Sequence, residues 1–141
     1  MKSVLLISVL ALASASGFLE LVPQASNVGA VCSSGPGFEV STFVLNPWPP
    51  TRNENVSMNM TGTFTSTETL NAIVINVNYN GVSFDQVVLP RSGTYTKGES
   101  YKDGYTAFFP TIAPSGKYSV NLELRNTANA YISCWNVPFT L

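Results

Sequence analysis

Apolar residues recur at every second position through most of this chain, a period that predicts strands rather than helices. Phe38 to Leu45 is rich in Phe and Val and stops at Asn46-Pro47-Trp48-Pro49-Pro50, where the prolines offer no amide proton to a central strand. Val56, Met58 and Met60 then alternate with Ser57, Asn59 and Thr61, and Gly62 leads to Phe64. Ile73, Ile75, Val77 and Tyr79 alternate with Val74, Asn76 and Asn78. Asn80-Gly81 follows as a tight hairpin signal into Val82, Phe84 and Val87-Val88-Leu89, so these two strands are expected to pair antiparallel. Pro90 to Gly104 contains Gly93, Gly98 and Gly104 and reads as a loop with at most one short edge strand. Tyr105 to Pro110 holds Phe108-Phe109, and Ala113-Pro114-Ser115-Gly116 turns the chain. Tyr118, Val120, Leu122 and Leu124 next alternate with Ser119, Asn121, Glu123 and Arg125. The last strand runs from about Ala130 to Leu141, with Trp135, Val137, Phe139 and Leu141 on one face; Pro138 puts this strand, or that part of it, at a sheet edge. Roughly seven or eight short strands, with no helical stripe past the N-terminus, predict an all-β, immunoglobulin-like antiparallel two-sheet sandwich.

The N-terminal segment has a different character. Met1 and Lys2 make a short positive start, Val4 to Leu12 is apolar but too short to span a bilayer, and Ala13-Ser14-Ala15 offers small residues at a cleavage position. Residues 1–15 therefore read as a signal peptide, residues 16–30 as an N-terminal extension or pro-segment, and residues 31–141 as the domain. A helical anchor needs about 20 apolar residues, and no later segment holds them. Export permits a disulfide, and the two cysteines, Cys32 and Cys134, allow one pairing. Closing a loop of about 100 residues contributes about 4–5 kcal/mol on the chain-entropy estimate. The alternative is a pair of buried free thiols.

Charge and composition narrow the chemistry. Seven Lys plus Arg against eight Asp plus Glu leave a net charge of -1, so no basic stripe exists to neutralise a phosphate backbone and nucleic acid is not an expected partner. Charged residues make up 11% of the chain and apolar ones 45%, which leaves Asn, Ser and Thr to build the polar surface. There is no histidine, and with it go the usual general base, Ser-His or Cys-His nucleophile pairs and the commonest zinc ligand. Glu39, Glu54, Glu68, Asp85, Glu99, Asp103 and Glu123 lack the spacing of a calcium loop. Two of them meeting as a glycosidase-type pair is the enzymatic alternative; solvated surface carboxylates are the default. No catalytic residue, metal or cofactor is expected. Two sequons, at Asn55 and Asn59, lie on one strand, and the two-residue period places both on the face opposite Val56, Met58 and Met60, where glycans would point to water.

Three blocks carry a resemblance to the ML family of lipid-recognition domains. The most specific is Cys134-Trp135-Asn136-Val137-Pro138-Phe139, similar to a Cys-Trp-x-Val/Ile-Pro strand whose cysteine bonds to one near the domain start, here Cys32. Ala113-Pro114-Ser115-Gly116-Lys117-Tyr118 and the hairpin Asn80-Gly81-Val82-Ser83-Phe84 are the others, in order and at the family's spacing. The resemblance covers Val31 to Leu141. Family members include the soluble Niemann-Pick type C cholesterol carrier, fungal phosphatidylglycerol/phosphatidylinositol transfer proteins and mite allergens. The cholesterol carrier has two further disulfides; the matching places, Pro47 to Pro50 and Arg91 to Tyr95, hold no cysteine here, so cholesterol itself is not carried over.

The resemblance implies a non-catalytic, secreted or endolysosomal protein that binds or transfers a lipid, burying one sterol, fatty-acyl or phospholipid tail between splayed sheets, with transient contact at membrane surfaces. Met58, Met60, Ile73, Ile75, Val77 and Phe84 would form the lipid-binding wall with Phe108, Phe109, Ile112, Val120, Leu122 and Val137. Phe84, Phe109 and Pro114 would form its entrance, with Lys97, Lys102 and Lys117 near the rim for an anionic headgroup. Patterning alone describes an ordinary packed core, as in a secreted immunoglobulin-like adhesion or coat module. An internal void of a few hundred cubic ångströms separates the two readings.

Overall fold

The computed structural model describes residues 26–33 and 35–141; the segment read as a signal peptide, and residues 16–25, lie outside the described residues. Ten strands follow in order: Ser26–Asn27 (β1), Ala30–Ser33 (β2), Phe38–Asn46 (β3), Glu54–Phe64 (β4), Glu68–Tyr79 (β5), Val82–Pro90 (β6), Thr94–Tyr95 (β7), Ser100–Phe109 (β8), Lys117–Asn126 (β9) and Tyr131–Thr140 (β10). They form two sheets with antiparallel neighbours, one in the order β1-β3-β4-β8 and the other β2-β10-β9-β5-β6, with β7 pairing beside the start of β5. Part of the segment read as an extension thus belongs to the sandwich, since Ser26 and Asn27 pair with Leu45 and Val44.

Alternation drives the packing. On β4, Val56, Met58, Met60 and Phe64 are buried while Asn55, Asn59 and Thr63 are exposed. On β9, Tyr118, Val120, Leu122 and Leu124 face inward and pair with Tyr79, Val77, Ile75 and Ile73 of β5. The β5–β6 hairpin is the one the sequence predicts: Asn80 and Gly81 both have positive φ, 48° and 82°, as a primed two-residue turn requires. Pro138 pairs with Ser119 on one side, whereas β2 stops pairing at Asn136, so the missing proline amide faces no ladder. Cys32 and Cys134 form the disulfide, joining β2 to β10 across 102 residues, which disposes of the free-thiol alternative.

One stretch differs from expectation. Much of the segment read as a loop, Pro90 to Gly104, is β7 and the first half of β8. Tyr101, Asp103, Tyr105, Ala107 and Phe109 are half-buried and alternate with exposed Lys102, Gly104, Thr106 and Phe108. The period is two throughout, but a carboxylate on the inward set and a glycine on the outward one hid it. The same register turns Phe108 outward.

Candidate functional site

Each sheet ends at the same side of the sandwich in a long strand whose outer edge is unpaired, β8 in the first and β6 in the second. No ladder joins them, so the sheets are free to part along this seam. Between them lies a cavity of about 390 Å³, above the lower bound of ligand-sized pockets at about 300 Å³. One wall is Met58 of β4 with Tyr105, Ala107 and Phe109 of β8; the other is Ile75 and Val77 of β5, Val87 of β6, and Tyr118 and Val120 of β9. Phe84, Phe108 and the loop from Pro110 through Ile112, Ala113 and Pro114 surround the mouth, where Asp85 is the single charged residue in the lining. Phe84, Phe108 and Ile112 are 61%, 57% and 89% exposed, a concentration of bare apolar surface that a polar ligand would not need.

The mouth of the cavity is braced. Beside the mouth, Tyr118 stacks on Phe139 at 5.5 Å and tilts against Tyr79 at 5.0 Å. Burial pushes the Tyr118 phenol above its ordinary pKa, and its hydroxyl donates to the Pro114 carbonyl at 2.9 Å, tying the mouth loop to β9. Arg52, in the turn between β3 and β4, holds the same loop, donating to the Ala113 carbonyl and the Ser115 hydroxyl, both at 2.7 Å. Past the cavity, toward the opposite end of the strands, Phe38, Phe64, Tyr95 and Tyr101 pack ring on ring, with Phe64 stacked on Tyr95 at 4.6 Å.

The family model of the ML domain matches residues 29–141. The chain belongs to the ML-domain family. Such domains bind and transfer lipids and are not catalysts. This ML domain is 28% identical over 115 residues to a Dictyostelium discoideum protein named as a phosphatidylglycerol/phosphatidylinositol transfer protein, a match covering 74% of this chain and 75% of the relative. A second Dictyostelium protein with the same name is 29% identical over 123 residues, covering 82% and 84%. Among solved structures, a Niemann-Pick type C2 protein from Japanese carpenter ant shares the fold with a TM-score of 0.60 at 17% identity, over 80% of this chain and 98% of that one. Chicken MD-1, crystallised with lipid IVa, shares it with a TM-score of 0.51 at 12% identity, over 83% and 99%.

Within this ML domain the candidate residues fall into two groups. Met58, Ile75, Val77, Phe84, Phe108, Phe109, Ile112, Pro114 and Val120 line the cavity. Met60, Ile73, Leu122 and Val137 are instead packed in the solid core, 3% exposed or less, because the sheets part only toward the β6–β8 seam. Sequence reasoning missed Asp85, Val87, Tyr105, Ala107, Pro110, Ala113 and Tyr118. Tyr105 and Ala107 could have been found by extending the two-residue alternation back through Asp103. Of the lysines, Lys117 adjoins the mouth, where its amide and carbonyl bond to Asn80. Lys97 belongs to the far end, next to Gly98, whose amide donates to Phe64, and exposed Lys102 pairs with Thr61 on the outer face of β8. A second hollow of about 350 Å³ at the opposite seam brings Glu39, Thr65 and Ser133 to Val31 and Trp135, and is less suited to an aliphatic guest.

Proposed function

We propose that this protein binds and transfers a single lipid molecule, with an aliphatic tail or compact ring system held between β4–β8 and β5–β6 and the polar end left at the mouth. The observation that carries the reading is the apolar cavity of about 390 Å³, since a fully packed adhesion module would fill that space with its own side chains. A buried tail gains about 0.8 kcal/mol per methylene. The lip of Phe84, Phe108 and Ile112 would rest on a membrane surface while the tail passes in or out. An exported location, extracellular or endolysosomal, is supported by the apolar N-terminal segment and by the disulfide. Asn55 and Asn59 are exposed on the outer face of β4, where glycans would not obstruct the mouth.

The test is displacement of a fluorescent fatty acid from the purified domain. Phe84→Asp at the lip and Val120→Asp inside should each weaken binding by about tenfold or more, or about 1.4 kcal/mol. Circular dichroism checks that each variant remains folded. Unchanged affinity in both variants would remove the site from this cavity, and no uptake of any lipid class by the parent would end the reading.

A further inference from the structure

Beyond the residues that line the cavity, two charged side chains meet across the open seam. Moving inward from the mouth along β8, Phe109, Ala107 and Tyr105 line the space, and the next inward residue is Asp103. Along β6, Val87 lines it, Leu89 packs beyond, and Arg91 follows just past the strand. Arg91 donates through Nε to Oδ2 of Asp103 at 2.6 Å and through Nη2 to Oδ1 at 2.9 Å. The Tyr101 hydroxyl donates to the same Oδ2, and the Gly104 amide donates to Oδ1 at 2.7 Å. The Asp103 side chain is 11% exposed. Among the described residues the other ion pair, Arg125–Glu123, lies within β9, so Arg91–Asp103 is the one that bridges the two sheets.

We infer that the Arg91–Asp103 pair is a clasp that sets the closed end of the lipid cavity and so limits the length of the aliphatic tail it accepts. The inference rests on the lipid reading of this site. β6 and β8 share no backbone ladder, so side chains must hold the seam, and a two-pronged guanidinium–carboxylate pair is the most directional link available. A tail pushing past Tyr105 would have to part that pair and strand the poorly solvated Asp103 carboxylate, then displace the aromatic cluster of Phe64, Tyr95 and Tyr101 behind it. The limit is therefore abrupt: each methylene adds affinity until the tail reaches Asp103, and the next ones add none.

Binding of a homologous series of saturated fatty acids, octanoate to stearate, by the intact domain tests this. For the parent, affinity should climb with length and then break. In Arg91→Gln/Asp103→Asn, which leaves no lone charge, the break should move to longer chains, with stearate bound about tenfold tighter than by the parent and octanoate unchanged. If the neutral variant does not fold, Arg91→Lys, which keeps the charge and loses the fork, should shift the break in the same direction. A break at the same length in every folded form overturns the clasp and leaves the lipid reading intact; a parent that binds no member of the series and no other lipid overturns both.

Discussion

Asp103 is pulled in two directions. Burial alone would raise its pKa, but hydrogen bonds from Arg91, Tyr101 and the Gly104 amide outweigh that and hold the carboxyl below the usual carboxylate range. Tyr101 moves the other way, its phenol raised by burial and by its bond to Asp103. Because the folded pKa of Asp103 is depressed, its contribution to stability is present above the unfolded carboxylate value and lost as pH falls through the folded one. Asp103→Asn should therefore lower the urea midpoint at neutral pH and by nearly the same amount at mildly acidic pH. The gap should close only below about pH 4. A gap that closes well above that pH would mean Asp103 does not keep its charge in the fold. The Arg91–Asp103 pair should accordingly stay charged at mildly acidic pH, down to about pH 4.

At the scale of the element, β3 and β4 depend on one close approach. A Cβ on Gly62 would lie 2.2 Å from the Glu39 carbonyl oxygen and 2.5 Å from the Phe38 ring, both fixed by the β3–β4 ladder. Gly62→Ala should destabilise the domain by about 1–3 kcal/mol, the cost of overpacking a filled site. Chemical denaturation checks it, and a loss under about 0.5 kcal/mol would mean the two strands yield easily. Strand β8 illustrates why some elements escape a reading of the chain. Its inward positions include a carboxylate that becomes tolerable only because Arg91, 12 residues away, reaches it from the other sheet. Hydrophobic period detects residues that bury themselves unaided; it does not detect a polar residue buried by a partner. The hairpin before it has no such dependence, and Asn80-Gly81 was legible because its turn is decided by two residues.

For the molecule as a whole, the disulfide ties β2, the short strand at one edge of its sheet, to β10. Replacing both cysteines by serine should cost about 2–5 kcal/mol, measured as a shift in denaturation of the lipid-free domain, since closing a long loop restrains the unfolded chain. A shift under about 1 kcal/mol would mean the strand pairing around β2 already suffices. Strand alternation, the hairpin, the cysteine partnership and the greasy character of the inner face were all set by the sequence: alternation and the inner face by residue type at a spacing of two, the hairpin by Asn80-Gly81, and the disulfide by there being only two cysteines. Which inner residues enclose space and which pack solid was decided by the tertiary structure. Met58 lines the cavity and Met60, two positions on, does not, though their burial is alike. The difference lies in how far apart two unladdered edge strands stand, a distance that the contacts of many residues across both sheets determine together.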